Sequence, residues 1–116
     1  MVKNVVSYLL IFLLSSFYVC AQTNHEIVTA TGVYSFNYNQ VPDGIISVGT
    51  PPAGFNFQWE KSAEPVNGFT SINGATGASY YSTTPLTETN YFRRRSTQGS
   101  TTIYSNTIQL SLVSVN

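Results

Sequence analysis

Short stretches that alternate apolar and polar residues dominate the chain after its first thirty residues. Aromatic residues occupy every second position in 33–38 and again in 55–59, and Ile108, Leu110 and Leu112 repeat the pattern near the end. Alternation with a period of two places the apolar side chains on one face of a β-strand. No stretch of the same region has the sustained 3.6-residue period of an amphipathic helix. The pattern therefore predicts an all-β fold.

Clusters of Gly, Pro, Asn and Asp separate these stretches. The loop 49–54 (GTPPAG) interrupts any regular element, and Asn67-Gly68 and Asn73-Gly74 are turn dipeptides because both residue types tolerate a positive φ. About seven short strands at this spacing favour an antiparallel β-sandwich. The predicted strands are 33–38, 45–48, 55–59, 69–72, 79–82, 90–97 and 103–113.

Two details favour an immunoglobulin-like sandwich. Trp59 is the chain's one tryptophan and lies within a predicted strand, as the core tryptophan of strand C does in that fold. The segment 86–91 resembles the turn into strand F that carries a "tyrosine corner", with Tyr91 as its tyrosine. Arg93 stands where an antibody domain has cysteine, so the disulfide-bonded type is excluded. The predicted core contains Phe57, Trp59, Tyr91, Ile108, Leu110 and Leu112.

The first segment has the features of an export signal. A positively charged start precedes the apolar run 5–19, and Ala21 supplies the small residue that a signal peptidase requires, so that Gln22 begins the mature chain. Two alternatives stay open. An uncleaved anchor would need about 20 apolar residues to cross a bilayer. A lipoprotein would use Cys20, although Val19 fits the position before the lipidated cysteine poorly.

These boundaries define the predicted organisation and location. The ranges are a signal peptide over 1–21, a flexible leader over 22–30 and an immunoglobulin-like domain over 31–116. Export predicts a secreted or cell-surface protein, with no membrane contact after the signal is cleaved. Cleavage also removes Cys20, the chain's one cysteine, so the mature domain has no disulfide and must be stabilised by packing.

Composition excludes several function classes. Charged residues make up 9% of the chain and the formal net charge is zero, with five Lys and Arg in all, which argues against nucleic-acid binding. A hydrophobic content of 42% argues against a disordered tail. We predict no cofactor and no metal, because His25 is the one histidine and the mature chain has no cysteine to accompany it.

The candidate catalytic residues are few. Glu60 and Glu64 could in principle form the carboxylate pair of a glycoside hydrolase, but nothing nearby would raise a carboxyl pKa, and solvated charges on a strand and a turn explain them better. A serine hydrolase would lack a base, because the single histidine lies in the leader. The sequence therefore predicts a protein that is not an enzyme.

The arginines and tyrosines are the candidates for ligand contact. Alternation along a strand sends Arg93 and Arg95 to one face and Arg94 to the other, so the three cannot form one basic patch. Packing of an arginine stem over an aromatic ring, with its head in water, is the favoured interpretation. Tyr81 and Arg94 are the two predicted contacts for a ligand such as an extracellular polymer.

Several motifs in order resemble a known kind of module. They are Gly54–Ser62 (GFNFQWEKS), Phe69–Thr76 (FTSINGAT), Tyr80, Leu86–Arg94 (LTETNYFRR) and Ser105-Asn106. This order resembles the Ig-like/PKD-like modules of secreted and surface proteins of Bacteroidetes, of the RHS and gliding-associated type, over about Thr50 to Val113. The resemblance implies a β-sandwich spacer or adhesive module that often has neighbouring modules in a longer protein. This chain carries one module and lacks the cysteine pair of many relatives.

Two functions follow as hypotheses. The first is a non-enzymatic exported module that acts as a structural spacer or as an adhesive, interaction unit whose partner is a surface protein or an extracellular polysaccharide. The alternative is a module that binds carbohydrate or another extracellular polymer through exposed aromatic residues. Exposed rings would favour the second hypothesis, and buried rings would favour the first.

Overall fold

The computed structural model describes residues 25–113. The predicted signal peptide and the cleavage between Ala21 and Gln22 lie outside the described residues and stay predictions. Residues 25–113 form eight β-strands and no helix, so no helix there is long and apolar enough to cross a membrane. The strands are β1 (Ile27–Thr29), β2 (Ser35–Phe36), β3 (Ile45–Ser47), β4 (Asn56–Ser62), β5 (Thr70–Ser71), β6 (Asn90–Gln98), β7 (Thr101–Tyr104) and β8 (Ile108–Leu112).

The larger of two sheets has the order β2-β8-β6-β4-β5, and β7 also pairs with β6. The long pair β4 and β6 runs antiparallel from Asn56 opposite Thr97 to Ser62 opposite Tyr91. The pairing of β2 with β8 is parallel, and the other pairs in this sheet are antiparallel. The small sheet pairs β1 with β3, and Tyr80 joins β3 through a single bridge to Ile45.

This arrangement confirms an all-β, immunoglobulin-like sandwich. β4, β6 and β7–β8 follow one another in the sheet as strands C, F and G do, and β5 lies beside β4 as strand C′ does. β1 and β3 occupy the places of strands A and B in the opposite sheet. The two sheets meet in one hydrophobic core: Ile27, Phe36, Ile45, Trp59, Leu86, Phe92, Ile108 and Leu110.

The predicted core residues do not all lie in that core. The structure buries Trp59, and it buries Ile108 and Leu110, whereas Leu112 is partly buried against the core. Phe57 is half-buried beneath the Arg94 guanidinium. The core assignment of Tyr91 is wrong, because strand alternation sends Phe92 inward and places Tyr91 on the outer face of β6.

Three predicted segments also need correction. The leader over 22–30 contains β1, because Ile27 and Thr29 are buried against the core and paired with β3. The single strand predicted over 103–113 is β7 and β8, separated where the Asn106 side chain bonds the backbone of Ile27. The strand predicted over 79–82 is reduced to one bridge at Tyr80.

The turn dipeptides behave as expected. Gly68 and Gly74 have φ values of 76° and 77°, in the left-handed region that glycine enters without strain. Gly99, with a φ of 58°, closes the tight turn between β6 and β7. The connection after β5 passes from β4, where Trp59 N donates to the Ala75 carbonyl, to β3, where Tyr80 pairs with Ile45.

Candidate functional site

The three consecutive arginines of β6 lie in two different environments. Burial alternates along β6, so Phe92, Arg94 and Ser96 face the core while Arg93 and Arg95 face outward. The predicted split of Arg94 from its neighbours is therefore what the structure shows. The inward direction of Arg94 rules out its predicted role as a ligand contact, because its side chain is 0% exposed.

Arg94 spans the space between the two sheets. Its Nη1 donates to the Ser47 hydroxyl on β3 and, at 2.7 Å, to the Ala78 carbonyl. Its guanidinium carbon lies 4.4 Å from the centre of the Phe57 ring and 5.8 Å from that of Trp59. We call this set the inner arginine site. Its contacts connect β6 with β3 and with the segment before Tyr80.

The inner arginine site has no carboxylate partner in the part of the chain that the structure describes. Arg94 Nε and Nη2 and the Ser96 hydroxyl are buried and make no hydrogen bond within residues 25–113. Burial lowers the pKa of the Arg94 guanidinium from its ordinary value, because desolvation penalises the charged form. Desolvation, and secondarily the charge of Arg94, lowers the pKa of His25. A fully buried cation of this kind orders the core and is unsuited to binding an external anion.

The outer face of β4 and β6 carries a charged cluster that the sequence did not predict. Glu60 is 4% exposed, and its two oxygens accept from Arg93 Nε at 2.7 Å and Arg95 Nη1 at 2.9 Å. The Arg93 guanidinium also lies between the rings of Phe69 and Tyr104, 4.2 and 4.1 Å from their centres. We call these five residues the outer charged cluster.

This cluster corrects the expected solvation of Glu60. The strand register places Glu60 directly opposite Arg93 on the neighbouring strand, and Arg95 follows on the same face. The register of β4 against β6 would have revealed this contact of Glu60 with the arginines. Alternation within one strand does not fix the register between two strands, so the sequence did not predict it. Glu64 lies exposed in the loop after β4.

His25 also has a structural environment. Its ring packs edge-on against Phe55, with 5.1 Å between ring centres. Within residues 25–113, no group of three His, Cys, Asp or Glu side chains could hold a metal ion. This contact was not predicted, because the sequence analysis assigned His25 to a flexible leader.

A surface groove lies beside Lys61 of β4 and the connection between β5 and β6. Two adjoining cavities of about 240 and 580 Å³ share Lys61, Tyr80 and Thr84 as lining residues. Tyr81 lines the larger cavity and is 66% exposed. We call this feature the tyrosine groove. It contains Tyr81, one of the two ligand contacts predicted from the sequence, and excludes the other, Arg94.

Two aromatic residues shape the tyrosine groove. The Tyr80 ring is 5.9 Å from the rings of both Trp59 and Phe92, and its backbone exchanges two hydrogen bonds with Ile45. Tyr81 lies against Gly44, where a β-carbon would overlap its ring. Tyr80 is therefore fixed by the core, and Tyr81 rests on bare backbone with most of its surface in solvent.

The fold and these sites together define a small immunoglobulin-like module whose arginines and tryptophan serve internal packing. Residues 14–114 match the family described as Domain of unknown function (DUF8696), and the chain belongs to that family. No curated protein and no solved structure matches the chain. The resemblance to the modules of Bacteroidetes surface proteins stays a prediction.

Proposed function

We propose that this protein is an exported, non-enzymatic module that acts as a structural spacer or as an adhesive, interaction unit, secreted or at the cell surface. The sequence supports export through the segment 1–21. The fold supports a module role because its buried charged residues and its tryptophan serve the sandwich itself. Arg94 and Trp59 are buried, and Glu60 is held by Arg93 and Arg95.

The position of the first and last strands carries the proposal. Ile27 at the start of β1 is held by Asn106, just before β8, through bonds of 2.8 and 3.0 Å. The end of β8 at Leu112 lies beside Phe36 in the parallel pairing with β2. Because an extended strand rises about 3.4 Å per residue, Asn106 and Leu112 are separated by about 20 Å. His25, just before β1, packs against Phe55 near the Thr97 end of β6, whereas Leu112 lies near the Asn90 end. Flanking segments would therefore leave near opposite ends of the large sheet, as a spacer requires.

Packing of the outer face supports the same interpretation. The Arg93 guanidinium is enclosed by two rings and a carboxylate, and this network stiffens the two longest paired strands. A spacer gains from a rigid sheet, and the carboxylate of Glu60 is engaged by both outer arginines.

The native product tests the proposal. Antibodies against the domain would recover it from cytosol, cell envelope and culture medium, and intact mass would give its termini. We expect a chain that begins at Gln22 in the envelope or the medium. A cytosolic product that retains Met1–Ala21 would contradict the proposal. A product much larger than this chain would favour the spacer role, and one that ends at Asn116 would favour the adhesive role.

Carbohydrate binding is the second candidate function. The observation that favours it is the exposure of Tyr81 in a groove lined by hydroxyl and amide groups. The buried state of Trp59 and the half-buried state of Phe57 disfavour the version of this hypothesis that uses those rings. The tyrosine groove is thus the place where such a function would reside.

A further inference from the structure

We propose that the tyrosine groove binds a short neutral oligosaccharide, with the ring of Tyr81 stacked on one sugar and the shared lining of Lys61, Tyr80 and Thr84 placed beneath the next. This inference rests on the second candidate function and gives it a site.

The shape of the groove suits a chain-like ligand. Two adjoining cavities of about 240 and 580 Å³ meet at Lys61, Tyr80 and Thr84. Small-molecule sites usually measure about 300–1,000 Å³, so the two together fit a ligand of more than one ring. The smaller cavity continues along Pro85 to Asn90, and the larger along Ile72 to Gly77. A linear ligand would therefore cross the groove over Tyr80.

Tyr81 is held as a stacking surface. A β-carbon at Gly44 would overlap atoms of the Tyr81 ring, so the ring lies in direct contact with the backbone there. The side chain is nevertheless 66% exposed. A planar ring with one side supported and the other open offers an apolar face to the C–H groups of a sugar, and its hydroxyl remains free for a hydrogen bond.

Tyr80 provides a rigid neighbour for that surface. Its ring lies 5.9 Å from the rings of Trp59 and Phe92, and its backbone is paired with Ile45 by bonds of 2.8 and 2.9 Å. A site whose aromatic residues are fixed before binding loses less side-chain entropy when a ligand arrives. The core thus orders one wall of the groove.

The lining selects a neutral, hydroxyl-rich ligand. Lys61 and Glu88 are the charged residues among those that line the two cavities, so the opposite charges offset each other. The rest of the polar lining is made of hydroxyls and amides, such as Thr83, Asn73 and Asn90, which both donate and accept hydrogen bonds as sugar hydroxyls do. An acidic polymer or a phosphate would require an excess of cations.

An array of neutral and acidic oligosaccharides tests the proposal. The protein, purified from cells that express the full chain with a C-terminal biotin tag, would be displayed on streptavidin so that four copies raise a weak affinity to a detectable level. We expect binding to a set of neutral oligosaccharides. Calorimetry with the strongest neutral glycan would then give the affinity of the single domain.

Variants locate the binding. Tyr81→Ala should weaken it by about tenfold or more, and Tyr81→Phe should retain most of it, because the ring supplies the stacking energy. Gly44→Ala should also weaken binding, since the new methyl group displaces the Tyr81 ring. Tyr38→Ala is the matched control. Tyr38 is 51% exposed and outside the lining of both cavities, so its loss should leave the affinity unchanged.

The possible outcomes distinguish failure of the tyrosine groove as the site from failure of carbohydrate binding as the function. Neutral-glycan binding that is lost in Tyr81→Ala and kept in Tyr38→Ala supports the proposal. Neutral-glycan binding that Tyr81→Ala leaves intact overturns the site but keeps the second candidate function, and the absence of any neutral hit overturns both. If Tyr81→Ala fails to fold, backbone NMR shifts at Lys61, Tyr80 and Tyr81 on addition of the glycan give the same decision.

Discussion

On the inner face of β6, the Arg94 guanidinium is fully buried and has no carboxylate partner among residues 25–113, whereas on the outer face Arg93 and Arg95 share the carboxylate of Glu60. The inner cation is held by an uncharged hydroxyl, a carbonyl and a ring. The outer cations keep side-chain exposures of 25% and 35% and can turn to water. Consecutive residues of one type therefore have different roles.

The comparison shows that charge and packing contribute in different proportions on the two faces. A buried cation without a counter-ion carries a desolvation cost, so the stem and ring contacts of Arg94 must supply much of its stabilisation. On the outer face, Coulomb attraction and hydrogen bonds act at short distance on a buried carboxylate. Substitutions on the two faces of β6 test this division.

Replacement of Arg94 should give the largest effect. Arg94→Ala removes a fully buried side chain and leaves a cavity, so we expect a loss of about 3 kcal/mol in the free energy of unfolding. Arg94→Met keeps most of the volume and removes the buried charge, so its loss should stay within about 1 kcal/mol. Equilibrium denaturation measures both. Equal losses for the two variants would show that the charge itself stabilises the inner face.

Glu60→Gln should have the next largest effect. The variant leaves Arg93 and Arg95 facing a neutral amide, and we expect a loss of about 1–2 kcal/mol, because both arginines can turn to water. Glu64→Gln is the control, since Glu64 is exposed in a loop, and it should change stability little. The difference between Glu60→Gln and the unaltered protein should shrink at high salt. A difference that is insensitive to salt would assign the effect to the two short hydrogen bonds of the buried carboxylate, because glutamine has nearly the same shape as glutamate.

Exchange of arginine for lysine should separate Arg93 from Arg95. Arg93 lies between the Phe69 and Tyr104 rings, and no such stacking is found for Arg95 within residues 25–113. Arg93→Lys should therefore cost about 0.5–1 kcal/mol, and Arg95→Lys less than about 0.5 kcal/mol. Thermal melts of the two variants under one condition decide the order. The reverse order would mean that the ring contacts contribute little.

The pH dependence of the inner face should be the smallest effect. Desolvation, and secondarily Arg94, holds the pKa of His25 below its ordinary value of 6.5. Between that lowered value and 6.5, the unfolded chain binds more protons than the folded one, so acidification through this window destabilises the fold. We expect Tm to fall by about 1–2 °C from this group. His25→Gln should remove the part of the decrease in Tm that His25 causes. If the Tm of His25→Gln depends on pH as that of the unaltered protein does, the effect does not come from His25.

Much of the sandwich could be predicted from alternation. The positions of Trp59, Ile108 and Leu110 follow from a period of two, and the turns at Gly68 and Gly74 follow from the φ that glycine permits. These features depend on residues close in sequence. The all-β class follows from the same local signals.

The remaining features depend on contacts between distant residues. Asn106 bonds the backbone of Ile27, and this contact both divides the last strand and fixes β1, where the sequence predicted a leader. Glu60 is buried because the register places Arg93 opposite it, and register is not visible in one strand. The inward direction of Arg94 could have been inferred from Phe92 and Ser96, which share its face of the strand. Arginine side chains are usually exposed, so the residue type indicated the opposite direction.

The link between β6 and β3 through Arg94 and Ser47 has a consequence for how the domain matures. In antibody domains, strands B and F are joined by a covalent bond whose formation needs an oxidant and takes seconds to hours. Here the connection consists of a hydrogen bond and ring contacts, which form as fast as the chain folds and re-form after each unfolding. The domain should therefore refold without a thiol oxidase or a disulfide isomerase. Its Tm should be the same with and without a reducing agent.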